Sequence, residues 1–185
     1  MQPNDPIQSL MDMTQTDFSK LYESSRGQKE SKFAQQKDGW CGPAALSYSM
    51  AQQGLEVPQK TLAKTTGTTV RNGVDPKFLT DEARRFGFTV ETYSGEDPRQ
   101  TIKKLDQALL DGKSVIVDYL EGTNIDTDGH YVVYQGSTGG KVILWDPSKA
   151  RNIVLDKDKF IEQWKDKTVG GRIFKYWAMV LSKPA

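Results

Sequence analysis

The chain has 185 residues, of which 25 are Lys or Arg and 24 are Asp or Glu. This length suits one domain with a sizeable core, and the balanced charge provides no net field that would attract nucleic acid or an anionic membrane. A single cysteine excludes an internal disulfide, and one cysteine with one histidine is too few soft ligands for a structural zinc site.

The N-terminal segment, residues 1–32, is polar and poor in apolar side chains. Its composition predicts a flexible or loosely docked extension, with a short helix from Thr16 that carries Phe18, Leu21 and Tyr22 on one face. A pro-segment or an exosite arm is the alternative. The segment lacks the basic and apolar regions of a signal peptide, and no apolar run in the chain reaches the roughly 18–20 residues of a membrane span. The sequence therefore predicts a soluble, cytoplasmic protein.

Helices dominate the first part of the domain, which we assign to residues 33–185. Pro43 fits the first turn of a helix, where a missing N–H does no harm, and Gly54 is a natural stop after it. The apolar residues that follow Asp75 recur with helical spacing. The predicted helices span residues 41 or 42 to 53, 59–64 and 76–86.

Strands dominate after residue 87, because short runs rich in β-branched and aromatic residues alternate with turn residues. Helices are also predicted at residues 98–111 and 157–164. The predicted strands span residues 88–93, 114–120, 130–135, 142–145, 153–155 and 174–181. Residues 136–140 are expected to form a hairpin loop. Helices followed by a mostly antiparallel sheet indicate an α+β fold with two layers around one core.

Cys41 lies at the junction of a polar loop and the first predicted helix. A free thiol has a pKa of about 8.5, so a catalytic cysteine needs its thiolate stabilised. Unpaired N–H groups and the dipole at a helix N-terminus favour negative charge, and Gly42 would leave room for a substrate carbonyl. A small buried core cysteine is the alternative interpretation. The junction after Trp40 favours a nucleophile.

His130 begins one predicted strand and Asp146 ends the next. These two ends of an antiparallel hairpin lie side by side, so we expect the two side chains to be close. The imidazole could then pair with a thiolate and protonate a leaving group, while the carboxylate fixes its tautomer. Each residue taken singly could be structural. The candidate oxyanion donors are the Cys41 N–H and a side-chain amide from Gln35 or Gln36.

Three stretches of the chain together resemble a known family: residues 33–46, 129–134 and 142–147. They resemble the bacteriocin-processing, double-glycine-leader cysteine peptidases of the papain-like superfamily, together with their stand-alone relatives. The resemblance extends over about residues 33–182 and includes the order of the elements. It implies a papain-like cysteine peptidase fold, with N-terminal helices packed on a C-terminal antiparallel sheet.

The resemblance also implies roles for individual residues. Cys41 would be the nucleophile, His130 the general base and acid, and Asp146 the residue that orients the imidazole. The family's oxyanion glutamine lies six positions before the cysteine (41 − 35), which selects Gln35 over Gln36. The implied reaction is cleavage of a peptide bond after a Gly-Gly pair in a leader peptide, without a metal or organic cofactor.

The leading functional interpretation is a thiol hydrolase that cleaves a peptide, amide or isopeptide bond of a peptide or protein through an acyl-enzyme. One alternative is an acyl-transferase or cross-linking enzyme with the same triad. Another is a catalytically inactive, peptide-binding module. The acidic loop at residues 121–128 could border the cleft and favour basic substrates. Calcium binding by Asp126 and Asp128 is less favoured, because the EF-hand pattern of ligands is missing.

Overall fold

The computed structural model describes residues 31–183. The predictions for residues 1–30, including the helix from Thr16, lie outside the described residues. Within the described range, no helix is long and apolar enough to cross a membrane.

The predicted helices are confirmed to within two residues at each end. Two of them begin with a proline in the first turn, Pro76 and Pro98, where the missing N–H is tolerated. Asp97 caps the second of these, because its carboxylate accepts a hydrogen bond of 2.8 Å from the Gln100 N–H. The α-helices of the described range are α1 (Cys41–Gln52), α2 (Gln59–Thr65), α3 (Pro76–Arg85), α4 (Pro98–Leu110) and α5 (Lys157–Gln163).

Six of the strands form one sheet in which all neighbours are antiparallel, in the order β1-β8-β2-β3-β4-β5. A separate two-stranded sheet pairs β6 with β7. The strands are β1 (Thr89–Tyr93), β2 (Ser114–Leu120), β3 (Gly129–Thr138), β4 (Lys141–Asp146), β5 (Arg151–Asp156), β6 (Lys165–Lys167), β7 (Ile173–Lys175) and β8 (Ala178–Ser182).

The predicted hairpin loop over residues 136–140 is wrong in its extent. β3 continues to Thr138, and its register shifts between Tyr134 and Gly136, where an extra residue forms a bulge. The connection is therefore limited to Gly139 and Gly140, whose φ angles are 53° and 76°. The sequence pattern assigns Gly136 to the loop because glycine is common in turns, but glycine is also common at β-bulges.

The single final strand predicted at residues 174–181 is also wrong. The chain breaks at Tyr176, which has a φ angle of 57°, so β7 pairs with β6 while β8 enters the main sheet. β6 was not predicted, because three charged residues in a row carry no strand pattern.

Both faces of the main sheet are covered, which corrects the expectation of two layers around one core. Alternate residues of β2 point to opposite faces, and all seven of its positions are buried. Ile116 belongs to a cluster with residues of α1, α2 and α3, whereas Val115 and Val117 belong to a cluster with residues of α4 and α5. The sequence pattern could not separate the two cores, since both are apolar.

Candidate active site

Cys41 is the first residue of α1, as predicted. The helix begins here because the Ala44 N–H bonds to the Trp40 carbonyl at 2.9 Å, closing the first turn. The first N–H groups of an α-helix have no partner within the helix, so the Cys41 N–H can bond to a group outside it. The side chain is only 8% exposed, yet it lines an open cleft. Cys41 therefore has both the helix N-terminus and the access that a nucleophile requires.

The imidazole of His130 lies between the thiol of Cys41 and the carboxylate of Asp146. Its Nε2 is 2.8 Å from Asp146 Oδ1, and both side chains are almost fully buried. Nδ1 is left for the Cys41 thiol, which interacts closely enough with the ring to raise the pKa of His130. Next to Asp146, Trp145 stacks on Tyr48 of α1 with ring centroids 4.2 Å apart. This stacking holds the end of β4 against the helix that carries the cysteine.

The electrostatic interactions among Cys41, His130 and Asp146 favour a charged imidazole. Burial lowers the pKa of His130, but its hydrogen bonds and charge interactions with Asp146 and Cys41 outweigh burial and raise the pKa to about 10. Burial raises the pKa of Asp146, but the His130 hydrogen bond and charge, with bonds from Lys149 and Ser148, bring it well below its ordinary value. The site therefore stabilises an imidazolium that faces a thiol and a carboxylate.

The sequence analysis missed two residues that hold the Asp146 carboxylate. Ser148 donates to Oδ1 through its N–H at 2.9 Å and its hydroxyl at 2.7 Å. The Lys149 ammonium pairs with Oδ2 and also with Glu121. An aspartate followed by a serine two positions later is a typical turn arrangement, and this was the available signal.

Gln35 and Gln36 lie in different environments. Gln35 lines the cleft, and its backbone N–H donates to the Pro147 carbonyl at 2.8 Å, which ties it to the end of β4. Its Nε2 donates to the Lys37 carbonyl at 2.8 Å, and an amide nitrogen has a second N–H for another acceptor. Gln36 is exposed and turned away, with its backbone N–H bonded to Gln59. Geometry therefore favours Gln35 as an oxyanion donor.

Position 42 requires a glycine for a different reason from the one expected. A Cβ atom at this position would lie 2.5 Å from Val74 Cγ1 and 3.2 Å from both Leu79 and Tyr131. The hydrogen of Gly42 therefore faces the core and lets α1 approach β3 and the segment before α3. The interpretation that it leaves room for a substrate carbonyl is wrong.

The cleft has a volume of about 840 Å³ and is bordered by residues 70–75, 121–122, 125–131 and 166–169. The acidic loop does border it, as expected. Its acids do not converge on a calcium site. Asp126 pairs with the Lys167 ammonium, while Asp128 accepts hydrogen bonds from Asn124 and Thr127. No group of three His, Cys, Asp or Glu side chains among residues 31–183 could hold a metal ion.

Comparisons with known proteins place the chain in a family and identify structures with the same fold. Residues 28–169 match the model of the family described as Peptidase_C39 like family. No curated protein matches the chain at a significant level.

Solved structures share the fold. The peptidase domain of Streptococcus ComA, a bi-functional ABC transporter involved in a quorum sensing pathway, has a TM-score of 0.63 and 20% identity, covering 81% of this chain and 96% of that one. A putative C39-like peptidase from Bacillus anthracis has a TM-score of 0.65 and 17% identity, covering 84% and 96%. A double glycine motif protease from an AMS/PCAT transporter, in complex with the leader peptide, has a TM-score of 0.58 and 20% identity, covering 82% and 89%. The predicted α+β, papain-like fold is confirmed.

Proposed function

Since this chain belongs to the Peptidase_C39 like family, we propose that it is a cysteine peptidase and that Cys41, His130 and Asp146 form its catalytic triad. The observation that carries the proposal is the position of His130, which interacts with the Cys41 thiol and is hydrogen-bonded to the buried carboxylate of Asp146 at 2.8 Å. This arrangement supplies a nucleophile, a proton carrier and a group that orients the carrier.

The first half of the proposed reaction forms an acyl-enzyme. The Cys41 thiolate attacks the carbonyl carbon of the scissile bond, and the carbonyl oxygen becomes an oxyanion. The Cys41 N–H and the free N–H of Gln35 Nε2 stabilise that charge. The imidazolium of His130 donates its Nδ1 proton to the departing amine as the C–N bond breaks, which leaves a thioester on Cys41.

The second half of the proposed reaction releases the acyl part of the substrate as a carboxylic acid. Neutral His130 accepts a proton from a water molecule, whose oxygen attacks the thioester carbonyl. The C–S bond breaks, and the thiolate and imidazolium are restored. Asp146 stays ionised throughout and stabilises the imidazolium, because its own pKa is held well below the ordinary range.

The proposed substrate is a peptide or an unfolded segment of a protein. The cleft opens to solvent, and a volume of about 840 Å³ suits several residues of extended chain. One protein with the same fold was solved in complex with a leader peptide. Hydrolysis is proposed rather than acyl transfer, and no feature of the cleft favours a second acceptor.

An alkylation and cleavage experiment tests this proposal. Cys41→Ala should abolish both iodoacetamide labelling and cleavage of a quenched fluorescent peptide library, with an unchanged circular dichroism spectrum. His130→Ala keeps the thiol but should slow its alkylation at pH 6 at least about tenfold, because the imidazolium partner is lost. Mass spectrometry should find free carboxylic acid products even in excess amine.

Two results would refute the proposal. One is a library that wild-type protein leaves intact while alkylation of Cys41 follows the pH dependence of a simple thiol, as in an inactive binding module. The other is the appearance of amide adducts in place of free acids, which would indicate an acyl-transferase.

A further inference from the structure

A group of carboxyl side chains lies beside the proposed catalytic residues and takes no part in the reaction above. Asp118 is on β2 and is 1% exposed, and neither of its oxygens accepts a hydrogen bond from any described donor. The Tyr131 hydroxyl beside it donates instead to the Val74 carbonyl at 2.9 Å. A buried carboxyl without a donor is unusual, and it requires a physical explanation.

Asp166, on β6, connects this carboxyl to the cleft. Asp166 lines the cleft, and its carboxylate lies so close to the backbone of Gly129 that a Cβ atom there would clash with it. Gly129 directly precedes His130 in the chain. Asp118 in turn lies near enough to Cys41 for the two charges to interact. The two acids therefore flank the proposed nucleophile and its imidazole.

The two carboxyls share one negative charge. Burial raises the pKa of Asp118 well above its ordinary value, and the charges of Asp166 and Cys41 raise it further. Burial also raises the pKa of Asp166, as does the charge of Asp75 on the facing loop. Asp118 therefore keeps its proton and donates it to Asp166, which carries the charge that faces the cleft.

Among residues 31–183, no Lys, Arg or His side chain forms an ion pair with Asp118 or Asp166. Asp166 Oδ1 accepts a hydrogen bond of 2.7 Å from the Lys167 backbone N–H, which carries no net charge. The ammonium of Lys167, the next residue along β6, pairs with Asp126 instead. Partly buried anions without a counterion are unfavourable, and such groups are concentrated at functional sites. A metal ion is not the missing partner, because the described acids do not converge as ligands.

We propose that Asp166, supported by Asp118 and Asp75, forms a subsite that binds a cationic group of the substrate, either a Lys or Arg side chain or a free α-amine. The inference rests on the proposed peptidase function and specifies its substrate class. The cationic group belongs to a residue within about two positions of the scissile bond, because Asp166 lies against the residue before His130 and Asp118 interacts with Cys41. The cationic group forms a charge-assisted hydrogen bond with the ionised carboxylate of Asp166, while Asp118 keeps its proton.

The first arm of the test needs no turnover. Cys41 is the sole cysteine, so a thiol reagent modifies the chain at one place. Three methanethiosulfonate reagents are compared, which carry a trimethylammonium-ethyl, a methyl or a sulfonatoethyl group. The rate at which each reagent modifies Cys41 is divided by the rate at which it modifies 2-mercaptoethanol, a free thiol in solution. The ratio of the cationic to the anionic reagent should exceed one in the wild type. It should fall about tenfold in Asp166→Asn, as expected for loss of a charge that lines the same cleft as the thiol.

Two variants control for general effects of charge. Asp158→Asn makes the same charge change on an exposed side chain of α5 outside the cleft lining, and it should leave the ratio unchanged. Asp118→Asn replaces a protonated carboxyl by a neutral amide that still donates to Asp166, so it should change the ratio less than about threefold. An unchanged ratio in Asp166→Asn would overturn the inference and leave the acids as a structural link between β2 and β6.

The second arm measures specificity. Quenched peptides carry either Lys or norleucine at each of the two positions on either side of the cleaved bond. Wild-type kcat/KM should favour Lys at one position by about tenfold or more, and Asp166→Asn should remove that preference. Equal rates for both residues at every position would overturn the subsite. If no peptide is cleaved, the peptidase function fails, and the first arm alone decides whether the cation site exists.

Discussion

Asp146→Asn isolates what the carboxylate charge contributes to the proposed site. The asparagine keeps the shape and one acceptor oxygen for His130 Nε2, but it removes the charge at the 2.8 Å contact. A hydrogen bond to a charged partner contributes about 1.5–3 kcal/mol, against about 0.5–1.5 kcal/mol for a neutral one. The difference of about 1–2 kcal/mol corresponds to roughly one pKa unit. Both side chains are almost fully buried, so salt screens the interaction little.

The expected result is a change in the pH profile rather than a uniform loss of rate. The pKa of His130 is raised to about 10, so the imidazolium is present below that pH and is lost above it. Removing the charge lowers this pKa, which moves the alkaline limb of kcat/KM down by about one pH unit. Activity should therefore fall about tenfold above the new limb and much less near pH 6.

The assay is kcat/KM for a cleaved library peptide, measured from about pH 5 to about pH 11 at two salt concentrations, with thermal unfolding as the check on the fold. An alkaline limb at the wild-type position, or a loss of rate that is equal at every pH, would refute the role assigned to Asp146.

Two further predictions concern Gln35 and Gly42. Gln35→Ala should lower kcat by a factor of about 10²–10³ with little change in KM, because an oxyanion donor acts in the transition state. Gln36→Ala, at the exposed neighbouring position, should leave kcat unchanged. Equal effects of the two substitutions would contradict the assignment. Gly42→Ala should lower the free energy of unfolding in urea by about 1–3 kcal/mol, since its Cβ would overlap Val74 Cγ1 at 2.5 Å. Gly170→Ala is the matched control, because its Cβ would meet only one atom at 3.8 Å, and equal destabilisation of both would contradict this packing.

The sequence identified the elements that depend on local chemistry. Helix starts at Pro76 and Pro98, and the strand that ends at Leu120, follow from short-range preferences and were predicted within two residues. The predictions that were wrong concern elements in which one residue type is compatible with two backbone structures. Gly136 forms a bulge rather than a loop, and Tyr176 breaks a run of strand-forming residues through a backbone angle that its type rarely adopts.

The proposed site was accessible from the sequence to different degrees. Cys41 and His130 were singled out because the chain has one of each, and Asp146 because a hairpin brings one strand's start beside the next strand's end. Gln35 was preferred to Gln36 only by resemblance, and its exposure on the cleft side agrees with that choice.

The sequence by itself determined which residues can be a nucleophile, a proton carrier or an anion, because those properties belong to single side chains. Only the tertiary structure decided which of them are buried and which charges they face. Asp118 lies on β2 and Asp166 on β6, far apart in the sequence, and only the fold brings their carboxyls together. Burial and distance set the energy of a charge, and both depend on contacts between segments far apart in the chain.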